Sequence, residues 1–110
     1  VDELCTVEYH DELAQNARRT LRELHYVNIT YHVGDGARGW PHKPGEFDAI
    51  IASAAPLEVP SALVDQLSIG GRMILPVGGL HQYLLHLRRT PTGIERSRSL
   101  SVRFVPMIQS

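Results

Sequence analysis

The chain has 110 residues, 43% hydrophobic and 21% charged, the size of one small domain able to bury a modest core. Eleven Lys and Arg against twelve Asp and Glu give a formal net charge of -1, so no overall basic field collects nucleic acid or anionic lipid, and neither is expected as a partner. A lone cysteine, Cys5, rules out an internal disulfide, no apolar run reaches the roughly 18–20 residues of a membrane span, and Val1-Asp2-Glu3 is unlike a signal peptide, so a cytoplasmic address is expected.

Leu4 to Val7 reads as a short strand ending in a carboxylate, Glu8. The period then changes: Leu13, Ala17, Leu21 and Leu24 recur at helical spacing, Asp11 and Glu12 stand where a helix dipole favours negative charge, and Arg18, Arg19 and Arg22 fall on the solvated side. Ile29, Tyr31 and Val33 alternate with Thr30 and His32 up to Gly34-Asp35-Gly36, a strand closed by a tight turn. Strand, helix, strand is half of a parallel sheet unit.

A Gly- and Pro-rich loop, Ala37 to Glu46, leads to Phe47-Asp48-Ala49-Ile50-Ile51-Ala52, a near-continuous apolar run expected to be a strand covered on both faces. Pro56 and Pro60 punctuate a loop, and Ser61 to Leu67 suits a short helix. Gly70-Gly71 is expected to turn the chain into a second buried strand, Arg72 to Val77, closed by Gly78-Gly79. Two alternating segments, around Gln82 to Leu87 and Leu100 to Val105, flank a turn at Pro91-Thr92-Gly93 and suggest an antiparallel pair ending a mixed sheet.

Three strand ends carry residues able to touch a ligand, since doubly wound sheets bind ligands beyond the carboxyl ends of their strands. Glu8 could accept both hydroxyls of a ribose, although a solvated Glu is the commoner meaning of such a position. In Gly34-Asp35-Gly36 the glycines permit close backbone approach and Asp35 could receive an amino group such as that of adenine, against the plain alternative of an ordinary turn. Ser53-Ala54-Ala55-Pro56 has small side chains over which a ligand could lie, or which simply pack under a turn. The six histidines, His10, His25, His32, His42, His81 and His86, form no short ligand pair, and Ser53 lacks a nucleophile elbow, so metal and hydrolase chemistry are not expected.

In order, Val7-Glu8, the Leu13-to-Leu24 helix, Gly34-Asp35-Gly36, Phe47-Asp48-Ala49-Ile50-Ile51, Pro60, Gln66-Leu67, Gly70 through Gly78, Gln82 and Val102 through Pro106 resemble the protein-L-isoaspartate (D-aspartate) O-methyltransferase family along essentially the whole chain. The resemblance implies an α/β, Rossmann-like class I S-adenosylmethionine-dependent methyltransferase fold, with residues 1–110 as the C-terminal part of the domain and antiparallel strands at its end. It implies methyl transfer from S-adenosyl-L-methionine to the carboxyl of L-isoaspartyl residues, a protein-repair reaction whose partners are isoaspartyl-containing proteins or peptides. It also implies cofactor-binding roles for Glu8 at the ribose diol, Tyr9 beside the adenine, Asp35 and Gly36 at the adenine, and Ile108 near the cofactor. No catalytic side chain is expected, because the nucleophile is the substrate's own carboxylate, already anionic at neutral pH, and positioning is most of the catalysis.

The family's first strand and glycine-rich loop should precede the ribose carboxylate by about 20 residues, whereas Glu8 has only seven before it. Without that strand two inner sheet edges stand open, and open edges recruit partners. Either the sheet closes locally or a homodimer forms through the exposed edges, edge to edge or by swapping. The functional expectation is therefore a fragment or truncated form of the methyltransferase, the alternative being a catalytically inactive methyltransferase-like binding or assembly module.

Overall fold

The computed structural model describes residues 3–41 and 45–108, so His42 and part of the loop from Ala37 to Glu46 lie outside the described residues. Two sheets form. In the first, β1 (Leu4–Glu8) and β2 (Ile29–Val33) pair in parallel from Leu4 opposite Ile29 to Glu8 opposite Val33. The connecting helix α1 (Asp11–Glu23) begins with its two acidic residues over the positive end of its dipole. Its end is a Schellman motif: His25 takes φ +66, its N–H donates to Arg22 O, and Tyr26 N–H donates to Leu21 O.

The second sheet runs β3 (Phe47–Ile51), β4 (Leu67–Gly78), β5 (Gln82–Thr90), β6 (Gly93–Val102) in that spatial order. β3 and β4 are parallel and the rest antiparallel, so the mixed sheet with antiparallel C-terminal strands is present. Among the described residues the expected local closure is absent, because β1 and β3 do not pair and each has one strand neighbour.

The core lies on one face of the second sheet. Leu67, Met73, Leu75 and Leu87 are fully buried, joined by Leu63 of helix α2 (Ser61–Gln66) and by Val77 and Leu85. Burial alternates along β4 from Gly71 to Leu75, as a strand with one covered face requires. Arg89 fastens the end of α2 to this layer: its Nη1 donates to the carbonyls of Leu67 at 2.7 Å, Asp65 at 3.2 Å and Val64 at 3.4 Å.

Three expectations change. β3 is not covered on both faces: Ile51 is 80% exposed, since no described element packs on that side. Gly70 and Gly71 do not precede a strand but lie inside β4, where Gly70 takes φ +85 and the pairing slips between Phe47–Leu67 and Ala49–Arg72. This is a bulge, for which glycine is suited. β6 begins at Gly93 rather than near Leu100, and Arg103 to Val105 lie beyond its end.

Candidate functional site

The parallel pairing of β1 and β2 brings two of the singled-out carboxylates to neighbouring strand ends. Glu8 is the last residue of β1, and its carbonyl accepts from Gly34 N–H at 2.9 Å, so the turn holding Asp35 starts directly beside it. The half-buried Glu8 carboxylate receives one long local bond, from His10 N–H at 3.4 Å. Tyr9 projects from the same end, exposed, with its ring edge-on to His10 at 5.4 Å.

Asp35 is held more firmly. Its side chain, 6% exposed, accepts from Ala37 N–H at 2.9 Å through Oδ1 and faces Arg38 Nε at 3.8 Å through Oδ2. It thereby caps the 3₁₀ turn Gly36–Arg38. Neither glycine of the tripeptide adopts positive φ. The need at Gly34 is steric, because a Cβ there would come within 2.8 Å of His32 Nε2, whereas a Cβ at Gly36 would meet only open space.

Glu8 and Asp35 line two grooves that meet at His32. One, of about 310 Å³, is bounded by His32, Gly34, Asp35, Arg38, Gly39 and Pro41. The other, of about 230 Å³, lies under α1 between Glu8, Thr6, Leu13, Ala14, Tyr31 and His32. Ile108 is not brought to this corner by any described bond. It follows a segment laid beside the carboxyl end of β3, where Pro106 bridges to Ala55, Ala55 N–H donates to Val105 O at 2.8 Å, and Met107 N–H donates to Ala55 O at 2.9 Å. Ala55 and Pro56 are buried in that contact, so the plain packing role accounts for this half of Ser53-Ala54-Ala55-Pro56.

Two buried glutamines position these parts. Gln66, at the end of α2, accepts from Trp40 N–H at 2.8 Å through Oε1 and donates through Nε2 to Trp40 O, tying the 3₁₀ turn to the second sheet. Gly39 makes room for it: with φ +70 and ψ -160 it occupies backbone space open essentially to glycine alone, and a Cβ would strike the Gln66 amide. Gln82, the first residue of β5, accepts from Phe104 N–H at 2.7 Å and donates to Phe104 O and Gly79 O, each at 3.1 Å. Their positions were visible in the sequence, but a polar residue among apolar ones gives no sign of which distant backbone it serves.

The sequence model of the protein-L-isoaspartate(D-aspartate) O-methyltransferase family matches residues 1–110. The chain belongs to this family. A protein-L-isoaspartate O-methyltransferase of Gloeobacter violaceus is 48% identical over 108 residues, covering 96% of this chain and 52% of that protein. Its counterpart in Myxococcus xanthus is 48% identical over 110 residues, covering 96% and 51%. The chain thus spans about half the length of these relatives. Among solved structures, a protein-L-isoaspartate O-methyltransferase superposes with a TM-score of 0.85 at 26% identity, over 94% of this chain and 33% of the other. A Plasmodium falciparum structure of the same description, in complex with S-adenosyl-L-homocysteine, superposes at 0.84 with 23% identity, over 98% and 53%. Both share the α/β fold.

Tested against an S-adenosyl nucleoside, the donor set fits in kind. The carboxylates of Glu8 and Asp35 are hydrogen-bond acceptors, the kind of group that hydroxyl and amino groups require, and a Cβ at Gly36 would meet only open space.

Proposed function

We propose that this chain is the nucleoside-binding, C-terminal portion of a protein-L-isoaspartate O-methyltransferase, acting in the cytoplasm on proteins or peptides that contain L-isoaspartyl residues. The observation that carries the reading is the placement of Glu8 and Asp35 at adjacent parallel strand ends, joined by the Gly34-to-Glu8 backbone bond of 2.9 Å. In this reading Glu8 accepts the ribose diol, Asp35 and the open backbone at Gly36 take the adenine, Tyr9 lies against the ring, and Ile108 adds an apolar contact from the C-terminal segment. S-adenosyl-L-methionine held by these residues would supply the methyl group, on a cationic sulfonium, to the substrate carboxylate oxygen, with S-adenosyl-L-homocysteine as the other product. No proton need move, so the chain's contribution is to hold and orient the nucleoside.

The test is an NMR titration of this chain with S-adenosyl-L-homocysteine. Shifts clustered at Glu8, Tyr9, Asp35 and Gly36, and their loss in Glu8→Ala, are expected. Millimolar ligand that leaves these amides unmoved would refute the site. Methyl transfer to an isoaspartyl peptide, assayed beside a relative of full family length, then separates the chain's own activity from that of the larger protein.

A further inference from the structure

The net charge of -1 conceals a segregation along the chain. Residues 1–66 hold eleven of the twelve carboxylates, whereas residues 81–110 hold five arginines, Arg88, Arg89, Arg96, Arg98 and Arg103, and one carboxylate, Glu95. The fold draws those arginines into the β5–β6 hairpin and its continuation, and among the described residues β6 is the last strand of its sheet, paired on one side. Alternate residues of the ten in β6 therefore turn their N–H and C=O groups outward as an unpaired line of backbone donors and acceptors.

The side chains along this edge differ by face. Arg96 lies opposite Leu87 and Arg98 opposite Leu85, both core residues, so the two arginines rim the side of the sheet that carries the core. Arg98 lies 3.8 Å above the Tyr83 ring, and Arg96 is exposed with no carboxylate partner among the described residues. On the other face stand Glu95 and Ser97, Glu95 meeting Arg88 at 4.0 Å, the outer limit of an ion pair. An added strand would thus meet the unpaired charge of Arg96 on one face, and on the other Ser97 and a carboxylate, Glu95, already set against Arg88.

We infer that β6 is a docking edge for an extended acidic peptide, one that alternates carboxylate and small polar side chains and adds to the sheet by main-chain pairing. Augmentation of this type takes affinity from the backbone and specificity from alternate side chains. Opposite charges across neighbouring strands are favourable and like charges unfavourable. A second copy docking β6 against β6 brings Arg96 and Arg98 of both copies onto one face, so the charges that welcome an acidic strand reject a self-pair. The inference is independent of methyl transfer, since none of these residues belongs to the nucleoside site.

Fluorescence anisotropy with a labelled octapeptide alternating Thr and Glu tests it. Four comparisons accompany the peptide: its Thr-Lys counterpart, a copy N-methylated at every amide, a single-stranded oligonucleotide of equal charge, and the Arg96→Glu chain, checked for fold by circular dichroism. The acidic peptide is expected to bind, the lysine and N-methylated peptides to fail, and Arg96→Glu to weaken binding about tenfold. Equal binding of the N-methylated peptide, or equal competition by the oligonucleotide, would show unspecific charge attraction and overturn the assignment. So would an Arg96→Glu chain that binds as before.

Discussion

Gly39 is the residue on which the join between the two sheets turns. Its backbone conformation is costly for any side chain, by about 1–3 kcal/mol, and a methyl group there would also push aside the Gln66 amide that holds Trp40. Gly39→Ala is expected to lower stability by at least about 2 kcal/mol, read from urea unfolding. Trp40 is the single tryptophan, so its fluorescence reports loss of this contact directly. Gln82 is the matching fastener of the C-terminal segment. Gln82→Ala strands the Phe104 backbone groups and should cost about 1–3 kcal/mol, seen as faster amide exchange at Phe104 and Met107 while the core amides of β4 keep their protection.

Among the elements, α1 carries a correctable weakness. His25 sits in the left-handed position where helices usually place glycine, and His25→Gly is expected to raise stability by about 0.5–1 kcal/mol, with a higher melting midpoint as the measurement. The strands show how far the sequence could be read. β1, β2 and β5 announce themselves, because apolar runs or alternation coincide with strand pairing. β6 starts seven residues before its apolar signal, since Gly93 to Ser99 forms an outer strand whose exposed polar and charged side chains leave little alternation to detect. Gly70-Gly71 looked like a turn because the same residues serve a bulge inside a longer strand. The carboxylates at the ends of β1 and β2 were legible from position. That Asp35 caps its own turn, and that Glu8 faces a different groove, depends on side-chain directions that no motif encodes.

For the whole molecule the exposed apolar surface matters most. Leu13, Leu24, Val27, Ile51 and Ile69 are all open to solvent, and both β1 and β3 have a free edge on the side where they fail to meet. We propose that such edges associate, in a homodimer of this chain or against the remainder of a family-length protein. Sedimentation over a range of concentration is expected to show a monomer giving way to a larger species, and a single monomeric boundary throughout would refute edge pairing between copies.

The bridge from Ala55 to Pro106 also sets an order of events. Ala55 leaves the ribosome long before the residues that complete its contacts, so during synthesis the turn after β3 waits, with two backbone groups unmet, for a partner half a chain-length away. Folding of that corner is therefore the last act rather than the first, and a protease added to a stalled nascent chain should find Ser53 to Leu57 cleavable until the segment from Val105 to Met107 has emerged.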